Sequence, residues 1–308
     1  MELSDEEGET RTRVLEALRN FGEKTLTYSG EKVGPSVLVI GGTHGNEILG
    51  VLVADLLREH FERGDLRLNT GEVRLLLGNT RAIEANERVA EGGVDLNRIF
   101  TPSILGGREE RGWEGRRARN IAEAIRASDI VIDLHSTNRP APAFVCAAET
   151  PEHSSVYKWL PRESVVFDPE RIISGGGGSI DEAADDFGKI GICYESGQAT
   201  DTRNVIPVFE AIRAILIDQG MVEGVLPEPP QAGSEYTAVS AIPYESGRPF
   251  VFAEGKDQGF APVKEGELIG HQGGVPVYSA LNGVILFPKK PEHQEMAGLV
   301  GYLAVKRN

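Results

Sequence analysis

The sequence has few basic residues, few cysteines and no long apolar run. Its 32 Lys and Arg stand against 47 Asp and Glu, which gives a formal net charge of −15. Because phosphate binding requires basic patches, this balance argues against nucleic acid as a partner. No apolar run reaches the roughly 18 residues that span a bilayer, and the start of the chain, MELSDEEGET, is acidic and polar. We therefore expect no membrane partner, no secretory signal and a cytoplasmic location.

The two cysteines, Cys146 and Cys193, both lie in apolar segments typical of strands. Buried, reduced thiols in a cytoplasmic protein are the favoured interpretation. With 308 residues, of which 40% are hydrophobic, the chain can bury a sizeable core in one large domain or two.

Residues 36 to 220 alternate short apolar runs with segments of helical period, which is typical of an α/β domain with a largely parallel sheet. A proline-rich linker, LPEPPQAGS, then leads into short strands broken by Gly and Pro. We predict one domain over 1–225, with an N-terminal extension at 1–30, and a linker with a β-rich domain over 226–308. The predicted strands are 36–41, 73–78, 129–134, 143–147, 164–167 and 190–194, and the predicted helices are 46–60, 113–127 and 204–218.

Chemically active side chains follow three of these strands at the point where each strand ends. His44 and Glu47 follow the first strand, His135 ends DIVIDLH, and Glu195 ends IGICYE. Ligands of open α/β sheets bind outside the carboxyl ends of the strands. Two imidazoles and one carboxylate are a usual catalytic zinc set, which leaves a fourth position for water. Each residue alone has an ordinary structural explanation, such as a helix cap beside Glu47, but their joint placement favours a metal site.

Four segments resemble the succinylglutamate desuccinylase/aspartoacylase family, a branch of the zinc carboxypeptidase superfamily. They are GGTHGNE, GNTRAIEANERVAEGGVDLNRIF, VIDLHST and ICYESGQ, and FAPVKEGELIG resembles the β domain of that family. The resemblance spans roughly residues 36 to 308. It implies an α/β fold with a mixed, largely parallel sheet flanked by helices, followed by a smaller C-terminal β domain. The domain over 1–225 would then be the zinc carboxypeptidase-like catalytic domain.

The resemblance also implies roles for seven residues and one Zn²⁺ per chain. The metal ligands would be His44, Glu47 and His135, the catalytic residues Glu195 and Arg88, and the residues that bind a substrate carboxylate Asn97 and Arg98. Arg81 is the second choice for the role of Arg88. Each role suits the chemistry of its group, since a carboxylate can transfer a proton and an arginine can bind an oxyanion or a carboxylate.

Two features depart from the family pattern. An arginine that helps aspartoacylases bind the side-chain carboxylate of the substrate corresponds here to Gly178, and their C-terminal tyrosine has no clear counterpart in LFPKKPEHQEMAGL. We therefore expect N-acetylaspartate to be a poor substrate. An N-acyl amino acid with a neutral or basic side chain, or with a succinyl group, should fit better.

These observations predict a zinc-dependent hydrolase that cleaves the amide bond of a small N-acyl amino acid. One alternative is a metallocarboxypeptidase that acts on peptides, which a β domain crowding the cleft would disfavour. Another is a non-catalytic metal- or ligand-binding protein on the same fold, which the presence of Glu195 disfavours. The identity of the acyl group and of the amino acid, and assembly into a homo-oligomer, stay open.

Overall fold

A mixed sheet of eleven strands and a second sheet of three strands organise the described residues, 5–231 and 233–307, of this computed structural model. The strands are β1 Leu26–Ser29, β2 Lys32–Gly41, β3 Thr70–Leu77, β4 Ile130–Thr137, β5 Phe144–Ala147, β6 Ser164–Phe167, β7 Ile190–Gln198, β8 Ser234–Pro243, β9 Phe250–Phe252, β10 Ala261–Val263, β11 Leu268–Gln272, β12 Val275–Tyr278, β13 Gly283–Leu286 and β14 Leu299–Lys306. The helices in these ranges are α1 Asp5–Phe21, α2 Ile48–Arg63, α3 Thr80–Ala85, α4 Pro102–Leu105, α5 Gly112–Arg126, α6 Pro151–Tyr157, α7 Ile180–Asp186, α8 Val205–Asp218 and α9 Pro291–Ala297, with a 3₁₀ turn at Leu96–Arg98.

The strand order of the large sheet is β1-β3-β2-β4-β7-β5-β6-β8-β14-β13-β10. β3, β2, β4 and β7 are parallel neighbours, whereas β5 runs antiparallel to β7. Helices cover both faces of these central strands, which is why each strand reads as a nearly continuous apolar run. The prediction of a mixed, largely parallel sheet flanked by helices, with a smaller β part after it, is confirmed.

An apolar layer covers each face of the central strands. Val37 and Val39 of β2 pack into the layer that contains α1, α2, α6 and α8. Leu38 and Ile40 pack into the opposite layer, with α5 and α7. This alternation follows from the strand geometry, in which successive side chains point to opposite faces. Helices on both sides therefore fix where the carboxyl ends of β2, β4 and β7 lie.

The turn from β2 into α2 depends on two glycines that allow close backbone approaches. A Cβ atom on Gly41 would lie 2.1 Å from the carbonyl oxygen of Gly50, and one on Gly45 would lie 1.9 Å from the backbone of α3. A side chain at either position would force the helices away from the strand end. The motif GGTHGNE therefore lets His44 and Glu47 sit directly at the edge of the sheet.

The C-terminal strands continue the large sheet across the proline-rich linker. β8 pairs with β6 in parallel, with Ser234 opposite Ser164, and β14, β13 and β10 follow as antiparallel neighbours. The separate sheet has the order β12-β11-β9. Sequence reasoning did not foresee this continuity, because the pattern of a strand does not identify its pairing partner. The domain boundary at residue 225 stays a prediction.

Most predicted elements of the first 220 residues are present with small shifts at their ends. The predicted helix 46–60 begins at Ile48 and runs to Arg63, and the N-terminal helix α1 packs against α2 and α3. Both cysteines are free thiols, Cys193 buried and Cys146 half-buried. Within the described ranges, no helix combines the length and the apolar character needed to cross a membrane.

Candidate metal centre and active site

Three predicted metal ligands meet at the carboxyl ends of two neighbouring parallel strands. His44 and Glu47 lie in the turn between β2 and α2, and His135 lies near the end of β4. Nδ1 of His44 is 2.9 Å from Glu47 Oε1, and Nδ1 of His135 is 3.0 Å from Glu47 Oε2. One ligand atom from each residue lies within 4.8 Å of the other two, and all three residues are buried.

Two further carboxylates orient the histidine rings. Nε2 of His44 lies 3.1 Å from Asp95 Oδ1, and Nε2 of His135 lies 2.7 Å from Asp133 Oδ2. With each Nε2–H donating to its carboxylate, the lone pair of each Nδ1 points at Glu47. Thr43 Oγ1 in turn donates to Asp133 Oδ1 at 2.8 Å.

Sequence reasoning missed both of these carboxylates, although each left a signal. Asp133 is an acidic residue inside a strand whose side chains are all buried, and such a group needs a specific partner. It also precedes His135 by two residues, which places both side chains on one face of β4. Asp95 opens the DLNR motif, of which only the Asn and the Arg received roles.

A divalent cation fits this donor set. His44 Nδ1 is buried and makes no hydrogen bond, although it lies 2.9 Å from a carboxylate oxygen. A nitrogen lone pair facing a carboxylate oxygen is unfavourable unless a cation lies between them. Two neutral imidazoles, each held by a carboxylate through the other ring nitrogen, together with one glutamate, are the donors that zinc prefers in catalytic sites.

Glu195 lies beside the predicted metal ligands, at the end of β7. It pairs in register with His135 across the parallel strands β4 and β7. Its Oε2 atom is buried and has no hydrogen-bond partner among the described residues. Burial raises the pKa of Glu195 to about 8; the charge of His135 opposes this rise and Glu47 adds to it. Such a carboxyl group can hold or release a proton near neutral pH.

The structure places Arg88 in this site and Arg81 away from it. Nη1 of Arg88 lies 3.3 Å from Glu47 Oε1, and Nη2 lies 3.1 Å from Asp95 Oδ2. Arg81 instead lies over the ring of Trp113, with its guanidinium carbon 4.9 Å from the ring centroid. Of the two, only Arg88 lines the cavity of the site.

Asn97 and Arg98 reach the same site from the 3₁₀ turn. Asn97 Oδ1 accepts a hydrogen bond from Ile180 N at 2.9 Å, which ties the turn to α7. The guanidinium of Arg98 donates to the carbonyl oxygens of Asn97 and Ile173, at 2.7 and 3.2 Å. Neither contact uses a carboxylate, so the charge of Arg98 has no anionic partner among the described residues.

A cavity of about 440 Å³ joins these groups. All seven residues predicted for the site line it, and so do residues of the C-terminal part, including Phe287, Lys289 and Tyr302. Tyr302 Oη donates to the carbonyl oxygen of Ile173 at 2.9 Å. Sequence reasoning assigned no role to Lys289 or Tyr302, because their approach to the site depends on the pairing of β13 and β14 with the large sheet.

Residues 33–213 match the family profile described as the succinylglutamate desuccinylase/aspartoacylase catalytic domain. The chain belongs to this family. The resemblance of its four motifs is therefore confirmed. An N-acyl-aromatic-L-amino acid amidohydrolase (carboxylate-forming) from Xenopus tropicalis is 36% identical over 107 residues, which are 33% of this chain and 33% of that protein. The matched segment thus spans about a third of the length of this curated relative.

Solved structures show the same fold. Succinylglutamate desuccinylase from Vibrio cholerae superimposes with a TM-score of 0.74 and 16% identity, over 92% of this chain and 86% of that chain. The enzyme of that name from Chromobacterium violaceum gives a TM-score of 0.71 and 16% identity, over 96% of this chain and 98% of the other. At 92% and 96% of this chain, these matches extend beyond the range of the family profile.

Proposed function

We propose that the protein is a zinc-dependent amidohydrolase that releases the acyl group of a small N-acyl amino acid. The observation that carries the proposal is the meeting of seven residues in one cavity, with both histidine Nδ1 atoms turned toward Glu47 by Asp95 and Asp133. Membership of a family of deacylases supports the reaction type. The size of the cavity suits a small substrate.

The metal would be held by His44 Nδ1, His135 Nδ1 and the carboxylate of Glu47. When bound, Zn²⁺ supplies Lewis acidity and makes water a good nucleophile near neutral pH. Asp95 and Asp133 keep the two imidazoles in the tautomer that leaves each Nδ1 free to coordinate.

Glu195 transfers the proton in the proposed reaction. Its carboxylate takes a proton from the attacking water as the water oxygen bonds to the amide carbon. The same proton then passes to the amide nitrogen as the C–N bond breaks. The products are a carboxylic acid and a free amino acid.

Two arginines have separate roles in the proposed reaction. One binds the negative charge that develops on the carbonyl oxygen, and the other binds the α-carboxylate of the substrate. Arg88 lies between Glu47 and Asp95, and it can donate to the carbonyl oxygen as negative charge develops there. Arg98, with Asn97 beside it, holds the α-carboxylate and so places the amide next to Glu195.

The test is an assay of amine release over a panel of N-acyl amino acids. Dipeptides are included in the panel, because a metallocarboxypeptidase would hydrolyse them. The zinc-loaded wild type should hydrolyse at least one N-acyl amino acid faster than any dipeptide. Glu195→Gln should retain zinc and lose about 10²-fold or more in kcat, because it keeps the shape and removes the base. Glu84→Gln, an exposed change on α3, is the matched control and should keep full turnover. A Glu195→Gln enzyme with wild-type turnover would contradict the mechanism.

A further inference from the structure

The carbonyl oxygen of Ile173 accepts hydrogen bonds from two side chains that come from distant parts of the chain. Tyr302 Oη, on β14, donates to it at 2.9 Å, and Nη2 of Arg98 donates to it at 3.2 Å. A carbonyl oxygen has two lone pairs, so it can accept both hydrogen bonds at once. The backbone at Ile173 therefore connects the C-terminal part of the chain with the arginine of the 3₁₀ turn.

The backbone at Ile173 is also held on its amide side. Asp168 accepts hydrogen bonds from the backbone N–H groups of Ile172 and Ile173, at 2.9 and 2.7 Å. Four glycines follow at 175–178, and their φ angles lie between +76° and +113°. Because glycine adopts positive and negative φ about equally well, this run gains little stiffness from its own sequence. Its conformation depends on the groups that hold its two ends.

The far end of the glycine run packs directly against the turn that carries Arg98. Phe100 N donates to the carbonyl oxygen of Gly178 at 3.0 Å. A Cβ atom on Gly178 would lie only 2.7 Å from the carbonyl oxygen of Arg98. A displacement of the segment 173–178 would therefore move the backbone of Arg98 as well.

The guanidinium of Arg98 is oriented by backbone groups and keeps donors available. Its hydrogen bonds to the carbonyl oxygens of Asn97 and Ile173 leave the other N–H donors of the planar fork available for an anion in the cavity. Tyr302 lines the same cavity and is only 3% exposed. Burial raises the pKa of Tyr302, and the charge of Arg98 opposes this rise. The hydroxyl and the guanidinium are thus near neighbours.

We propose that Tyr302 is a positioning residue for Arg98, which it orients through the carbonyl oxygen of Ile173. Tyr302 fixes the carbonyl group, and the carbonyl group fixes one Nη atom of Arg98. The rest of the guanidinium is thereby directed at the α-carboxylate of the substrate. The inference rests on the proposed amidohydrolase function, in which Arg98 binds this carboxylate. It makes β14 a determinant of substrate binding.

A double-mutant cycle of Tyr302→Phe and Arg98→Ala tests the proposal. The assay measures kcat and KM for the N-acyl amino acid of the panel that the wild type hydrolyses fastest, and for the α-carboxamide of that substrate. Tyr302→Phe should raise KM for the acid by about fivefold, the change expected from one lost hydrogen bond of ordinary strength, and should keep kcat. It should leave KM for the carboxamide unchanged and add nothing to the KM of Arg98→Ala.

Tyr236→Phe is the matched control. Tyr236 packs against the same apolar cluster as Tyr302 but does not line the cavity, so its variant should match the wild type. An unchanged KM in Tyr302→Phe would overturn the proposal. An equal rise of KM for the acid and the carboxamide, or a rise that persists in full beside Arg98→Ala, would also overturn it, because a general loss of packing produces either result.

Hydrogen exchange separates this proposal from the proposed function, because it requires no turnover. The backbone N–H groups of Gly175, Gly176 and Gly177 are hydrogen-bonded within the segment. They should exchange faster in Tyr302→Phe than in the wild type and in Tyr236→Phe. Faster exchange supports the positioning role of Tyr302 even if no N-acyl amino acid is hydrolysed. Equal exchange in all three proteins overturns it, even if the enzyme proves to be an active deacylase.

Discussion

At the scale of the residue, Asp181 stands out as a carboxyl group that lines the cavity without a cationic partner among the described residues. Burial raises its pKa from 3.8 to about 7, and the charge of Glu182 adds to the rise. A carboxyl group whose pKa is higher in the folded state binds more protons when folded. Its contribution to stability is therefore complete below about pH 4 and is lost as the pH rises through about 7.

The variant Asp181→Asn tests this coupling of stability to pH. Between pH 4.5 and 7.5, the melting temperature of the wild type should fall relative to that of Asp181→Asn, because only in the wild type does a carboxyl group ionise more readily in the unfolded chain than in the folded one. Asp65→Asn, an exposed change on the surface, should track the wild type at every pH. Parallel curves for the wild type and Asp181→Asn would show that this carboxyl group titrates normally.

Arg88 and Arg98 should separate kinetically. Arg88→Ala removes the proposed oxyanion donor, so kcat should fall by about 10²-fold, the loss typical of a missing oxyanion donor. Arg98→Ala removes the proposed ground-state contact with the α-carboxylate and should chiefly raise KM. Arg81→Ala serves as the control, since Arg81 lies over Trp113 outside the cavity. A normal Arg88→Ala beside an inactive Arg81→Ala would mean that the arginines have been assigned wrongly.

At the scale of the element, the N-terminal helix α1 supports the segment that carries Arg88. Nη1 and Nη2 of Arg11 donate to the carbonyl oxygens of Ile83 and Glu84, at 2.9 and 2.7 Å. Both carbonyls lie in the last turn of α3, where the intrahelical hydrogen bonds run out, and Ile83 O also accepts from Asn86 N at 3.2 Å. Arg11 thus holds the end of α3, three residues before Arg88.

Arg11→Ala should lower kcat and leave the zinc content unchanged. A displaced α3 would shift Arg88 from its proposed oxyanion position, and a displacement of about 1 Å in such a group can cost up to about 10²-fold in rate. Arg13→Ala is the matched control, because Arg13 is an exposed arginine of the same helix. If both variants keep the kcat of the wild type, α1 has no part in positioning Arg88.

The elements also show how much could be predicted from sequence. The ends of β2, β4 and β7 were predictable, since each is a short apolar run followed at once by a polar ligand or base, and the sheet brings parallel strand ends together. Asp133 was overlooked because it sits inside such a run. The position of Lys289 near Arg98 could not be predicted from the sequence. It depends on the pairing of β14 with β8 in the large sheet, which no local sequence pattern specifies.

At the scale of the whole molecule, the continuous sheet makes the C-terminal part a wall of the site. β6 and β8 connect the two parts in one sheet, and the loop after β13 brings Lys289 to the cavity that the strand ends form. The protein carries a formal net charge of −15. Its cavity is nevertheless lined by cationic side chains, among them Arg88, Arg98 and Lys289. In the proposed reaction, binding of the substrate carboxylate would therefore depend on these local cations and not on the net charge of the molecule.

Zinc content, determined by elemental analysis of the purified protein and of His135→Ala, tests the central claim most directly. The wild type should carry about one zinc per chain, because two histidines and a glutamate complete the donor set of a catalytic site. His135→Ala should carry almost none and keep its fold by circular dichroism, while Asp65→Asn should match the wild type. Full zinc occupancy in His135→Ala, or a wild type that takes up no zinc, would contradict a metal centre built on His44, Glu47 and His135.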